Sequence, residues 1–195
     1  MDTIQAPPID LERPPIAAQD PSAPAPGPGP VEVGVGSFLL SGPGPSGILG
    51  GAVFLFDEVA DNFYLRPSLA AGEAPGAFAR STWATGRLDA CTRVPGNYRV
   101  YQGLQLDLCG GADVGATYFA SGTQPGEPAQ GKALPYLDLG PSIALRGELG
   151  DKSAVWLRAG GGINLARPGF DDSQGTRQTA PPASFRLELG FSWGR

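Results

Sequence analysis

The stretch that most restricts the fold is the last one, Ala183 to Trp193. Its odd positions are Phe185, Leu187, Leu189, Phe191 and Trp193; its even positions are Ser184, Arg186, Glu188, Gly190 and Ser192. Side chains alternate sides along a strand, so this segment has one apolar face and one face of charged and small residues. A core strand of a soluble protein fits that pattern. So does a membrane-spanning strand with lipid on one side and a polar barrel interior on the other. The rest of the chain decides between them.

The alternation recurs after residue 30. A first strand is predicted over Val31 to Leu40, with Val31, Val33, Val35 and Leu39 on one face and Glu32, Gly34, Gly36 and Phe38 on the other. The second, Ile48 to Glu58, is apolar on both faces. In the third, Asn62 to Ala71, Phe63, Leu65 and Leu69 oppose Asn62, Tyr64, Arg66 and Ser68. Pro67 lacks a ladder donor, so a bulge or local break is expected there. The fourth, Phe78 to Thr92, sets Trp83 among polar residues, which calls for a bulge, an interfacial position or a packed interior ring. Strands five to eight follow at Tyr98 to Phe119, Leu134 to Arg146, about Val155 to Leu165, and Ala183 to Trp193. No segment reads as a helix.

The connections alternate in length. They are short after the second, fourth and sixth strands and longest after the fifth (Gly122 to Ala133) and seventh (Arg167 to Pro182). Outer-membrane barrels keep short turns on the periplasmic side and longer loops outside. Charge sorts too. Glu32, Arg66, Arg87, Asp89, Asp107, Asp113, Asp138, Arg146, Arg158, Arg186 and Glu188 all fall on polar faces, and the opposite faces of the later strands carry essentially none. Three features favour placing that charged set inside. The polar faces are rich in glycine, which suits a narrow eight-stranded interior filled by side chains. Their cations are arginine, whose planar fork suits buried pairing. Lysine, a common solvent-face residue, occurs only at Lys132 and Lys152, both read as connections.

Composition removes several function classes. With no histidine in 195 residues, the usual general base, metal ligand and His-dependent hydrolase arrangements are gone. Two cysteines without histidine cannot build a structural zinc site. Cys91 and Cys109 lie near-symmetrically about a Val94–Gly103 turn region, so a hairpin could set them opposite each other at disulfide distance. Such a staple implies an oxidising compartment. The net charge of −5 gives no basic stripe for nucleic acid. Gly126 to Lys132 has the spacing of a phosphate loop, but Ala133 and Pro135 follow where a hydroxyl residue and a helix should stand. The acidic run Asp171 to Gly175 lacks the later glutamate of a calcium loop. No cofactor, metal or catalytic residue is expected.

Together, the strand pattern, loop parity and aromatic-ended last strand resemble the eight-stranded outer-membrane barrels of the OmpA/OmpX type. The resemblance covers about Val31 to Trp193 and is one of pattern. It implies an all-β, antiparallel, up-and-down barrel with a polar, filled interior, embedded in the lipid of the outer membrane. Enzymes on similar barrels rely on histidine, so none of their site residues carries over. Residues 1–30, rich in proline, are expected to be an extended, mobile linker or tail, and residues 31–195 the barrel. Met1 to Pro30 does not read as a leader, so an exported protein would be represented here without one. The leading expectation is a non-enzymatic structural or surface-interaction protein, with any partners meeting loops 122–133 and 167–182. The alternative is a soluble secreted or periplasmic barrel holding an apolar ligand inside.

Overall fold

The computed structural model describes residues 31–42, 47–74, 79–94, 104–121, 131–167, 169–171 and 177–194. The proline-rich stretch 1–30, the turn at 95–97, the predicted strand start at 98–103 and most of the loop 122–133 lie outside the described residues.

The strands are β1 (Glu32–Ser41), β2 (Ile48–Ala60), β3 (Phe63–Ala74), β4 (Ala79–Arg93), β5 (Leu104–Ser121), β6 (Gly131–Glu148), β7 (Ser153–Asn164), β8 (Gly169–Asp171), β9 (Arg177–Thr179) and β10 (Ala183–Gly194). All except β8 and β9 form one closed barrel, in the order β1-β10-β7-β6-β5-β4-β3-β2. Sequential strands pair antiparallel all round. The ring closes through β1 and β10, in register from Glu32 opposite Gly194 to Ser41 opposite Phe185. That pairing removes both sheet edges, which would otherwise expose unpaired backbone groups.

Details depart from the sequence reading. β6 starts at Gly131, because Gly131 and Lys132 continue the ladder opposite Ala120 and Phe119. Lys132 is therefore an exposed strand residue, not part of a connection. The predicted loop Arg167 to Pro182 contains the β8–β9 hairpin, whose strands are too short for periodicity to reveal. Trp83 needs no bulge: β4 runs in unbroken register opposite β3, with Trp83 facing Gly72, and its ring points inward. Pro67 does break a ladder, though only on one side. Its pairing with β4 is continuous, whereas towards β2 the paired residues skip from Phe54–Ser68 to Asp57–Leu65. The β2–β3 hairpin then turns through a bulge at Glu58/Ala60. Asn62 there adopts a left-handed φ of 62°, which asparagine tolerates better than most residues.

The two faces are inverted relative to a soluble barrel. Leu49, Leu69 and Ile163 point outward and are 64%, 66% and 64% exposed. Val33, Val35, Leu39, Leu157, Leu187, Leu189, Phe191 and Trp193 join them on the outer wall. Arg66, Arg87, Asp89, Asp113, Arg158 and Glu188 are buried inside. The β2–β3 and β6–β7 turns share one end with the start of β1 and the end of β10. The connections β1–β2, β3–β4, β5–β6 and β7–β10 emerge at the other.

Candidate functional site: the barrel interior

Inward residues stack in three tiers along the barrel axis. At the end holding the strand termini, Arg146 donates to Glu32 at 2.6 Å and Ser192 Oγ donates to Glu32 at 3.2 Å. Arg93 pairs with Glu58 at 2.9 Å. Asp107 accepts from the Tyr64 hydroxyl at 2.8 Å and from Gln105 Nε2 at 3.1 Å. In this tier Cys91 and Cys109 are direct cross-strand partners joined by a disulfide, with Cα atoms 4.1 Å apart.

The middle tier is an ion network. Asp89 meets Arg66 at 3.5 Å and Arg87 at 2.8 Å, and also binds Arg158. Glu188 accepts from Arg66 at 2.8 Å and lies 3.8 Å from Arg158 and 3.7 Å from Arg186. Asp113 binds Arg87 and takes Arg186 at 3.2 Å. Ser142 Oγ accepts from Arg158 Nε at 2.9 Å. Four guanidinium groups thus surround three carboxylates, contributed by β3, β4, β5, β7 and β10. Each of the seven charged groups has an ion-pair partner and at least one hydrogen bond, which offsets the cost of burying it. Arg66 Nε, Arg186 Nη2 and Glu188 Oε2 are among the buried atoms of the described residues with no hydrogen bond.

Aromatic rings bound this tier on both sides. Arg66 lies over Phe54 at 4.3 Å and over Trp156 at 4.5 Å. Arg186 lies over Phe38 at 4.8 Å. Beyond it, towards the longer connections, Phe38, Leu40, Ile48, Ala52, Ala70, Ala74, Trp83 and Tyr136 pack into one apolar cluster. Trp83 sits edge-on to Phe38 at 5.2 Å and to Tyr136 at 5.7 Å. Asp138, beside this cluster, accepts from Ser184 Oγ at 2.5 Å.

Every charged polar-face residue singled out in the sequence therefore lies inside the barrel, but not in one site, whereas Asn62 is exposed in the β2–β3 turn. Arg66, Arg87, Asp89, Asp113, Arg158, Arg186 and Glu188 form the central network. Glu32 with Arg146, Asp107, and Asp138 belong to separate smaller groups above and below it. The inward aromatics are what the sequence reading did not assemble. Their signal lies in the register: Phe38, Phe54, Trp83, Tyr136 and Trp156 stand directly opposite Gly50, Gly34, Gly72, Gly115 and Gly190. At Gly34, Gly50 and Gly190 a Cβ would fall on the ring opposite, whereas at Gly72 and Gly115 it would meet neighbouring strand atoms instead.

Among the described residues, the spaces between the inward side chains are small. The cavity beside Arg87, Asp138 and Arg186 is about 20 Å³ and that beside Tyr64, Asp107 and Arg146 about 10 Å³. A water needs about 10–15 Å³ by this measure, and a small-molecule pocket roughly 300 Å³ or more. No group of three or more metal-ligating side chains occurs among the described residues.

The fold is thus an all-β, eight-stranded closed antiparallel barrel of the outer-membrane type. Among solved structures it is similar to Neisserial surface protein A, at TM-score 0.60 and 8% identity over 87% of this chain and 99% of that one. It is also similar to a major outer membrane protein from Thermus thermophilus, at TM-score 0.63 and 14% identity over 85% and 99%. No protein-family model matches the sequence, and no curated protein does.

Proposed function

We propose that this chain is a non-enzymatic outer-membrane protein. Its outward apolar band sits in lipid, its interior is a static, side-chain-filled core, and its longer connections meet whatever partners it has. One observation carries this reading. The large side chains on the outward face are leucine, valine, isoleucine and aromatic residues, set among alanine, glycine and proline. Among the described residues, the charges of the barrel strands face inward except Asp57 and Glu73, which lie towards the ends of β2 and β3. Soluble monomers rarely expose contiguous apolar patches beyond a few hundred Å², and lipid is the solvent that suits such a wall. The likeness to membrane barrels supports the same setting.

The soluble ligand-carrier reading needs the opposite orientation and an internal cavity. The charged interior and its water-sized spaces speak against it. The same packing argues for a barrel that does not conduct, since an ion would have to cross both the arginine network and the aromatic cluster of Phe38, Trp83 and Tyr136. The loops 122–133 and 167–182 are the proposed contact surfaces, one of them carrying the β8–β9 hairpin.

The test is migration on a detergent gel with and without heating. A folded membrane barrel is expected to run at a different apparent mass unheated than heated, and to aggregate when detergent is withdrawn. Recovery as a stable monomer without detergent would overturn the reading.

A further inference from the structure

The disulfide is buried in the finished barrel. Cys91 has no exposed surface and Cys109 is 8% exposed. Both face the interior, packed with Tyr64 and against Phe56. The free space lining Cys109 is the cavity of about 10 Å³ shared with Phe56, Tyr64, Arg66, Asp107 and Trp156. That is room for about one water, far less than a thiol or disulfide reagent occupies. From the far end the way is closed by the ion network and the cluster around Phe38, Trp83 and Tyr136. Thiol–disulfide exchange needs the attacking sulfur to reach a sulfur of the bond directly.

We infer that the bond forms before the barrel closes, with the open chain as the substrate of a disulfide-bearing oxidant. In the open chain a thiolate of one cysteine attacks the oxidant's disulfide. That step forms a mixed disulfide and releases one oxidant sulfur as thiolate. The second cysteine, deprotonated, then attacks its neighbour's sulfur. The Cys91–Cys109 bond forms and the oxidant departs with both its sulfurs as thiolates, having taken up two electrons; the two protons given up by the cysteines return to those sulfurs through solvent, which makes the dithiol. The pairing needs only the β4–β5 hairpin, since the two residues are direct partners in that ladder. No other strand has to be in place. Closure of β1 on β10 then seals the product. This order follows from burial inside the barrel and holds whether the outer wall meets lipid or water.

The experiment uses the full chain folded in detergent micelles. The oxidised barrel is incubated with a water-soluble phosphine reductant, and thiols are counted by the mass shift on adding a polymer-tagged maleimide. Reduction is expected to be slower by on the order of a hundredfold or more than in the heat-unfolded chain, because exchange waits on opening of the barrel. In a second arm the chain is folded in the reduced form and then offered a small disulfide. It is expected to stay reduced until unfolded. A reduced chain that cannot fold also supports the order, since closure would then require the bond. Reduction or oxidation of the intact barrel at the unfolded chain's rate would overturn the inference.

Discussion

At Asp89 three guanidinium groups, from Arg66, Arg87 and Arg158, converge on one carboxylate with no exposed surface. Its neighbours show the reciprocal arrangement, Glu188 taking Arg66, Arg158 and Arg186. Removing one member of such a group is more damaging than the group's net contribution, because the partners left behind stay buried and unpaired. Asp89→Ala is expected to destabilise the barrel by about 3–5 kcal/mol. The Arg93–Glu58 pair, with side chains 28% and 26% exposed, is better hydrated. Glu58→Ala is expected to cost no more than about 1 kcal/mol. Urea unfolding of both variants in micelles, followed by tryptophan fluorescence, measures the contrast. Equal, small effects would show that the network does not hold the interior together. That these residues share one face was legible from alternation; that the face is the inner one also needed loop parity, glycine-rich polar faces and the scarcity of lysine. Which arginine meets which acid was not, because partners as far apart as Arg66 and Glu188 are brought together by the stagger of the closed ring.

Between strands, the organising unit is a ring laid across a glycine. Trp156 stands opposite Gly190, and a methyl group added at Gly190 would fall on the indole. Gly34 bears the same relation to Phe54. Gly110, on the outer wall, has nothing within 4 Å of where its methyl would lie. Gly190→Ala is therefore expected to cost about 1–3 kcal/mol through overpacking, and Gly110→Ala to leave stability nearly unchanged. Denaturant midpoints of the two variants decide this, and similar values would remove the glycine–ring account. The sequence did show inner faces rich in glycine, and it placed Cys91 opposite Cys109. It did not show that Trp83 belongs inside, because one large aromatic among polar neighbours reads as an exception until its partner Gly72 is known. Nor could it show β8 and β9, whose pairing is a matter of loop geometry rather than of periodic pattern.

For the molecule as a whole, the eight-stranded barrel was legible because period-two alternation, loop parity and lysine scarcity are each properties of the entire chain. The inversion of its faces is the central claim, and the tryptophans report on it. Trp83 and Trp156 are buried in the interior, whereas Trp193 lies on the outer wall, 45% exposed and 5.9 Å from Phe191. Aromatic residues near strand ends suit the membrane interface, where barrels carry their aromatic girdles. The most direct measurement is tryptophan quenching by lipids brominated close to the headgroup. The native protein and its Trp193→Phe variant would both be folded into those bilayers and into unbrominated ones. Bromine is expected to quench the native protein and to leave the variant, with only its interior rings, almost unaffected. Equal quenching of the two, or none in either, would contradict a barrel whose apolar wall faces lipid.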